Sequence, residues 1–233
     1  MKYFIYWENK NSRKTPYYIE ECINKMKIIL GNNLIILNNK NINNFVEFIP
    51  ENLCKIKRMA VKVDYLRIAV LYYNGGCYLD ADTIVYKNFP ELIERCEKDA
   101  DLIGVGKNDI ITGNALLVAK NARSKSLKII MKKQEDIIRK KRGKLNWSDI
   151  GGNLIRDLSD KIDCATFDKT PLVFFGWKNA DLFSSMDQEI ILKYLTKYTQ
   201  NKPGGIVLYN NVMRNLFVDN IPERCLLWYL IRL

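Results

Sequence analysis

The chain has 233 residues, of which 37 are Lys or Arg and 26 are Asp or Glu, so its formal charge is +11. Hydrophobic residues make up 48% and charged residues 27%, which is typical of a soluble globular protein and too apolar for a disordered one. The sequence contains no His. This excludes a Ser-His-Asp triad, a Cys-His nucleophile pair and a zinc site of the HExxH type.

The cysteines and the apolar runs indicate in which cellular compartment the protein is expected. The six Cys form no CxxC pair, which favours reduced thiols in a cytosol-like compartment. The apolar run at Met1–Trp7 is too short for a signal peptide, and no stretch approaches the roughly 20 apolar residues of a membrane span. We therefore expect a cytoplasmic location, and we expect the late apolar run Cys225–Ile231 to form a buried helix.

The first half of the chain shows alternating strand and helix patterns. Strands are predicted at 3–7, 34–37 and 77–79. Apolar residues at three- and four-residue steps predict a helix from Pro16 to Ile29 and another from Arg58 to Tyr73 with one buried face. Asn74-Gly75-Gly76 ends the second helix, and the Asn-rich segment 38–44 is predicted to be a loop.

The second half continues the alternation. Its predicted strands are 102–105, 115–119, 172–175 and 206–209, and its predicted helices are 124–141, 147–158, 188–198 and 222–231. Strands that alternate with helices predict an α/β protein with a mostly parallel central sheet flanked by helices. We see no linker that would split the chain, so we expect a single domain over 1–233. The absence of GxGxxG and of a P-loop disfavours a dinucleotide-binding dehydrogenase and a P-loop kinase.

A basic cluster lies on the predicted helix 124–141 and just after it. It consists of Lys132, Lys133, Arg139, Lys140, Lys141, Arg142 and Lys144. Such a cluster is either a solvated helix face or a patch for an anionic membrane or another polyanion. No motif of a nucleic-acid-binding fold is present, so nucleic acid is not an expected partner.

The most informative segment is the Asp-Ala-Asp that follows the predicted strand 77–79. In an extended segment Asp80 and Asp82 project to the same side, where their mutual repulsion is relieved by a cation. Oxygen ligands suit Mg²⁺ or Mn²⁺, which keep other positions for water and substrate phosphates. A second Asp-Ala-Asp at 99–101 precedes an apolar run, and we interpret it as a turn into a strand.

Asp64 and Arg67 share a face of the helix that precedes this strand. One interpretation is a surface ion pair, which contributes little. The other is that both point to the same cavity as Asp80, where Asp accepts hydrogen bonds from sugar hydroxyls and Arg donates to sugar or phosphate oxygens.

These residues together resemble a known family. The pattern consists of Asp64-x-x-Arg67, Leu71 and Gly75-Gly76-x-Tyr78-Leu79-Asp80-x-Asp82. It is similar to the signature of the glycosyltransferases with a sugar-binding region containing a DXD motif, a group that includes capsular polysaccharide synthesis proteins. The resemblance covers roughly residues 3–120. It implies a GT-A-type fold, with a donor-binding part at about 1–120 and an acceptor-side part at about 121–233.

The resemblance also implies the roles of individual residues. Asp82 would ligate a divalent metal, Mn²⁺ or Mg²⁺, and Asp80 would contact the ribose or sugar and reach the metal through water. Asp64 and Arg67 would hold the donor sugar, and Trp7 would stack on the base. Asn114 resembles a residue that faces sugar and acceptor. Three departures are Val63, where the family usually has Ser; Gly151-Gly152, which stands in place of a Gly-Pro pair of the acceptor loop; and the missing late His, for which Tyr209, Asn210 and Asn211 are the candidate substitutes.

The function expected from this resemblance is transfer of a hexose from a nucleotide-sugar, a UDP-sugar by preference, to a surface glycan such as capsular polysaccharide or lipooligosaccharide. The family implies retention of the anomeric configuration, and no residue is assigned as catalytic base. A peripheral contact with the anionic inner face of a membrane is compatible with the charge. The alternatives are a polyanion- or nucleic-acid-binding basic protein and a metal-dependent nucleotidyltransferase.

Overall fold

The computed structural model describes residues 1–9, 14–87, 99–142, 144–146, 149–167, 172–174, 177–201, 203–208, 213, 217 and 219–233. The strands are β1 (Tyr3–Tyr6), β2 (Leu34–Leu37), β3 (Gly76–Leu79), β4 (Thr83–Val85), β5 (Leu102–Lys107), β6 (Ile110–Ala119), β7 (Cys164–Thr166), β8 (Leu172–Phe174) and β9 (Gly205–Val207). The helices are α1 (Tyr17–Leu30), α2 (Met59–Asn74), α3 (Lys125–Lys140), α4 (Gly152–Asp157), α5 (Gln188–Asn201) and α6 (Leu226–Arg232).

The chain divides into two compact units. The first comprises Met1–Glu8, Ile35–Leu79 and Pro90–Thr170, and the second comprises Asn9–Leu34, Asp80–Phe89 and Pro171–Leu233. Each unit has its own sheet. The expectation of one domain over 1–233, with donor and acceptor parts, stays a prediction.

The larger sheet belongs to the first unit and has the strand order β2-β1-β3-β6-β5-β7. β1 pairs with β3 and β5 pairs with β7 in parallel, whereas β6 runs antiparallel to both of its neighbours, β3 and β5. The strands β1, β3, β5 and β7 therefore share one direction. Helix α2 contacts β1, β3 and β6 and packs on α3. The predicted α/β class with a mostly parallel central sheet flanked by helices is confirmed.

Helix α2 is the core of the first unit. Every residue from Tyr65 to Tyr72 is buried, so the prediction of a single buried face was wrong. The physical reason is that α2 lies between the sheet and α3, and a helix covered on several sides is apolar nearly all round. The helix ends where Gly75 adopts a φ of 65°, as predicted from the double glycine.

Gly76 allows the strand after α2 to enter the sheet. Its φ is 94°, and a Cβ at this position would lie 2.6 Å from the carbonyl oxygen of Lys2. A side chain would therefore push β3 away from β1, where the Cys77 N–H donates to the same carbonyl at 2.9 Å. This close approach fixes the register of the strand that leads to Asp80.

The second unit contains a three-stranded sheet with the order β4-β9-β8, in which β4 is antiparallel and β8 parallel to β9. Helix α1 packs on β4, and α6 packs on α1 and α5. Leu226, Leu227, Leu230 and Ile231 of α6 are buried, which confirms the predicted buried terminal helix. Asp187 caps α5, because its Oδ1 accepts from the N–H groups of Glu189 and Ile190.

Some element boundaries differ from the predictions. β6 begins at Ile110 instead of 115, the helix predicted at 147–158 is restricted to α4, and the short strands β4 and β7 were missed. Three-residue strands carry too few positions for a periodic pattern. Trp147, Phe175 and Tyr209, at the ends of predicted elements, lie outside the described residues.

Over the described part of the chain, none of the helices combines the length and the apolar character that crossing a bilayer requires.

Candidate functional site

Three of the predicted site residues meet in the first unit. Arg67 and Asp64 form an ion pair on one face of α2, with 3.3 Å between Nη2 and Oδ1. The side-chain Nδ2 of Asn114, on β6, donates to the same Asp64 Oδ1 at 2.8 Å. Arg67 Nη1 donates to the main-chain oxygen of Asn114. The carboxylate, the guanidinium and the amide therefore form one closed network.

An irregularity in the sheet brings Asn114 to α2. The register of β5 against β6 steps from Gly104–Leu117 to Val105–Gly113, so three residues of β6, 114–116, have no partner on β5. A β-bulge frees the backbone of its extra residues from the ladder and redirects their side chains. The freed carbonyl of Asn114 is the acceptor that Arg67 uses.

The ion pair is buried, which excludes the interpretation of a surface pair. The side chain of Arg67 is 5% exposed and that of Asp64 is 13% exposed. The Arg67 guanidinium also lies over the ring of Tyr78, 5.0 Å from its centroid, and its Nε donates to the carbonyl of Val63 at 3.4 Å. A buried ion pair is tolerated only when further hydrogen bonds satisfy its donors and acceptors, and this cluster supplies them.

Two residues that the sequence analysis did not select complete this cluster. Gln134 of α3 is fully buried, and its Nε2 donates to the carbonyl of Asp64 at 2.9 Å and to that of Ile150 at 2.6 Å. Gly151, next along the chain, faces the Asp64 carboxylate, since a Cβ there would lie 2.6 Å from Oδ2. Gln134 carried a signal that was available in the sequence: it stands between Ile130 and Ile138 on the apolar face of α3. Gly151 stood out only as part of the acceptor-loop pair Gly151-Gly152, and nothing in the sequence linked it to Asp64.

Asp80 and Asp82 belong to the second unit. Asp80 directly follows β3, and residues 81–82 form a turn that leads into β4, so the extended geometry predicted for this segment was wrong. Burial still alternates, because Ala81 is buried and both Asp side chains are partly exposed. The main-chain oxygen of Asp82 accepts from the Leu208 N–H at 2.9 Å, which anchors the turn to the end of β9.

The donor set at the turn fits a hard divalent cation. Asp80 and Asp82 are partly exposed and offer carboxylate oxygens, which are the ligand type that Mg²⁺ and Mn²⁺ prefer. Among the described residues, no group of three His, Cys, Asp or Glu side chains is arranged to hold a metal ion.

Burial raises the pKa of the Cys22 thiol on α1, and the negative charge of Asp82 raises that pKa further. The Asp82 carboxylate therefore lies close enough to α1 to interact electrostatically with it.

Trp7 follows β1 at the carboxyl end of that strand. Its N–H donates to the carbonyl of Leu37 at the end of β2, at 2.9 Å, and its side chain is partly exposed. A partly exposed ring at the carboxyl edge of an α/β sheet is placed where such folds bind ligands. The role of Trp7 in stacking stays a prediction. Tyr209, Asn210 and Asn211 lie outside the described residues.

The second Asp-Ala-Asp is structural, as predicted. It leads directly into β5. Asp99 forms an exposed ion pair with Lys120 at 2.7 Å, and Asp101 Oδ2 accepts from the Ser126 N–H at 3.1 Å near the start of α3. The two copies of one tripeptide therefore differ in surroundings, and Asp99 offers a matched control for substitutions at Asp80 and Asp82.

Residues 3–98 match the sequence model of the family described as "Glycosyltransferase sugar-binding region containing DXD motif". The match includes Trp7, Asp64, Arg67, Asp80 and Asp82. Over these residues the match agrees with the resemblance drawn from the motif. No curated protein matches the chain.

Several solved structures are similar to the chain at low sequence identity. The apo-form glycosyltransferase GlyE of Streptococcus pneumoniae TIGR4 is 14% identical to this chain, with a TM-score of 0.47. The superposed region covers 89% of this chain but only 54% of GlyE. The galactosyltransferase LgtC in complex with donor and acceptor sugar analogs is 10% identical with a TM-score of 0.47, covering 81% of this chain and 80% of LgtC. PaToxG glycosyltransferase is 12% identical with a TM-score of 0.48, covering 99% of this chain and 85% of PaToxG.

Proposed function

We propose that this chain is a metal-dependent glycosyltransferase of the GT-A type, which moves a hexose from a nucleotide-sugar, a UDP-sugar by preference, to a surface glycan such as capsular polysaccharide or lipooligosaccharide. The observation that carries the proposal is the buried network of Asp64, Arg67 and Asn114, of which Asp64 and Arg67 lie within residues 3–98, the range matched by the family model. A largely buried carboxylate costs stability to maintain even when it is paired with Arg67 and bound by Asn114, which argues for a role in binding.

The network is suited to a sugar. Arg67 and Asn114 hold Asp64 by one oxygen, Oδ1, and so fix the plane of its carboxylate. A carboxylate fixed in this way accepts hydrogen bonds from sugar hydroxyls in one orientation only, which orients the hexose of the donor. In this proposal Asp64 binds the hexose, Arg67 donates to oxygens of the sugar or phosphate, and Asn114 contacts the sugar and the acceptor.

Asp80 and Asp82 would hold Mn²⁺ or Mg²⁺. A divalent ion there supplies charge neutralisation for the departing diphosphate. Asp82 is the direct ligand in this proposal, and Asp80 contacts the ribose or sugar. The carboxylates of both residues remain accessible at the turn, as binding of a charged donor requires. Trp7 stacks on the base of the nucleotide.

Transfer with retention of configuration is part of the proposal and rests on the family resemblance. A front-face route, in which the leaving phosphate accepts the proton of the acceptor hydroxyl, needs no protein base. This agrees with the lack of His in the sequence. The residues of the protein then bind and orient donor and acceptor and exclude water from the anomeric carbon.

We also place the enzyme, as a peripheral protein, at the anionic inner face of a membrane that carries a glycolipid acceptor. The exposed side of α3 and the residues after it carry several Lys and Arg side chains, among them Lys132, Lys133, Lys140, Arg142 and Lys144. Basic residues near an anionic bilayer contribute about 1 kcal/mol each. Sedimentation with anionic vesicles at low salt, lost with neutral vesicles or when Lys132, Lys133 and Lys140 are replaced by Gln, tests this contact. Equal sedimentation of the triple variant would contradict it.

The direct test is sugar transfer from a panel of radiolabelled nucleotide-sugars. We expect label to move to glycan, or to water in the absence of acceptor, only with Mn²⁺ or Mg²⁺ present. Asp82→Asn is expected to abolish the reaction with an unchanged Tm, and Asp99→Asn is expected to keep it. Full activity of Asp82→Asn in the presence of a chelator would contradict the proposal. Transfer of a nucleotidyl group without any sugar transfer would support the nucleotidyltransferase alternative instead.

A further inference from the structure

A close contact in the first unit lies between α2 and the segment before α4. Gly151 is buried, and a Cβ built on it would lie 2.6 Å from Oδ2, 2.9 Å from Cγ and 3.2 Å from Oδ1 of Asp64. Real Cβ atoms essentially never approach another atom to within 3.0 Å, so any side chain here would displace the carboxylate or the backbone. The φ of Gly151 is −97°, outside the left-handed region that favours glycine, and the close contact with Asp64 is a reason for glycine that does not depend on φ.

The segment around Gly151 has little freedom to move away. Gln134 ties the carbonyl of Ile150 and the carbonyl of Asp64 to one side-chain nitrogen, so the two stretches of backbone are held at a fixed spacing. Asp149, one residue earlier, is bound by Lys141 Nζ at 2.7 Å and by the Asn146 N–H at 2.7 Å. An added methyl group would therefore act on the carboxylate of Asp64.

The carboxylate has little freedom either. Asn114 and Arg67 both bind its Oδ1, and rotation away from position 151 would lengthen one or both contacts. Gln134 adds a cost of its own, because its Oε1 is buried with no hydrogen-bond partner among the described residues. Leaving this buried acceptor unsatisfied lowers the stability of the folded protein, a cost at that atom that an apolar side chain of similar size would not incur. The arrangement thus gives up stability to hold Asp64 and the 150–151 backbone together.

We propose that Gly151 is a positioning residue for Asp64, and that Gln134 sets the spacing at which the glycine and the carboxylate meet. The role rests on the proposed function, in which Asp64 binds the hexose of the donor. Gly151 contacts neither sugar nor metal in this account. It acts through Asp64, because only a residue without a side chain lets Asn114 and Arg67 keep the carboxylate in its binding orientation.

The test is a double-variant cycle of Gly151→Ala with Asp64→Ala. With Asp64 present, Gly151→Ala is expected to lower the Tm by about 2–12 °C, the range for overpacking in a protein of this size. In the Asp64→Ala background the carboxylate that the new methyl group would meet is gone, so the same substitution is expected to leave the Tm nearly unchanged. Gly152→Ala is the control, since its Cβ would have ordinary contacts throughout, 3.4 Å with the carbonyl of Thr112 and 3.9 Å and 4.0 Å with Cγ and Oδ1 of Asn114.

The second readout is kinetic. A displaced binding group costs up to about 100-fold in rate, so Gly151→Ala is expected to lower kcat/KM for the donor by about 10- to 100-fold, and Gly152→Ala is not. Gln134→Met retains the volume and removes both hydrogen bonds of Nε2 together with the unpartnered Oε1, and it is expected to raise the KM for the donor whatever the net change in Tm. A merely structural glutamine would leave the KM unchanged.

The two readouts separate this proposal from the proposed function. If Gly151→Ala lowers the Tm equally with and without the Asp64 carboxylate, the positioning role is wrong, whatever the enzyme transfers. If the Tm coupling is present but wild-type protein transfers no sugar, the contact is real and the proposed function fails. If coupling is present, sugar is transferred and Gly151→Ala retains full kcat/KM, the positioning role is again wrong.

Discussion

Replacing Arg67 by Met is the sharpest test of the network that carries the proposed function. The substitution keeps most of the side-chain volume and removes the charge and every donor. Arg67 is 5% exposed and its partner Asp64 13% exposed, so the variant leaves a carboxylate with little access to water and one partner fewer. Removing one member of a buried ion pair costs about 3–5 kcal/mol. For a protein of this size that corresponds to a fall in Tm of about 6–20 °C.

The chain supplies a matched control at the same helical spacing. Arg139 pairs with Asp136 at 2.7 Å, also three residues apart, but its side chain is 76% exposed. Exposed pairs of this kind contribute about 0–1 kcal/mol, so Arg139→Met is expected to shift the Tm by no more than about 4 °C. Thermal unfolding followed by circular dichroism measures both.

The double variant Asp64→Asn with Arg67→Met distinguishes two causes of destabilisation: loss of the attraction between Asp64 and Arg67, and burial of an unpaired carboxylate. Because it has no buried charge left unpaired, we expect it to recover part of the stability that Arg67→Met loses. Equal Tm shifts for Arg67→Met and Arg139→Met, or no recovery in the double variant, would refute the description of Asp64 and Arg67 as a buried pair.

Two further predictions concern each unit by itself. Gly76→Ala should destabilise the protein strongly, because its Cβ would lie 2.6 Å from the Lys2 carbonyl at a φ of 94°. Gly31→Ala has open space around it but a φ of 57° and a ψ of −140°, which are typical of glycine alone, and it should lower the free energy of unfolding by about 1–3 kcal/mol. Similar denaturant midpoints for the two variants would contradict this. Lys25→Met should lower the free energy of unfolding by about 1–2 kcal/mol, since Lys25 Nζ donates at 2.7 Å to the carbonyl of Ile231 in the last turn of α6. An unchanged urea midpoint would contradict this prediction.

The sequence predicted a helix or strand correctly where its apolar pattern was long or where glycine residues marked its end. Helix α2 and its end at Gly75 followed from apolar spacing and a double glycine, and the apolar end of the chain gave a buried helix as expected. The burial of α2 on several sides was missed, because periodicity reports the helix and not how many layers cover it. The start of β6 was missed because the bulge at 114–116 interrupts the strand pattern.

The candidate site was predictable where one motif contained its residues. The spacing of Asp64 and Arg67 was enough to expect a shared face, and their burial could come only from the structure. The contact of Asn114 depends on a bulge between strands, and that of Gly151 depends on a loop 87 positions after Asp64 in the sequence. Such contacts are set by tertiary packing, and no local pattern encodes them. Gln134 was the exception, since a polar residue on an apolar helix face could have been noticed.

The central claim is that Asp80 and Asp82 bind a divalent cation together with the diphosphate of a nucleotide-sugar. Titration calorimetry with UDP-hexoses, with and without Mn²⁺, tests it most directly on wild-type protein, Asp82→Asn and Asp99→Asn. The account predicts that wild type and Asp99→Asn bind a donor only when Mn²⁺ is present, and that Asp82→Asn binds none. Donor binding of equal affinity in all three proteins, unchanged by a chelator, would contradict it.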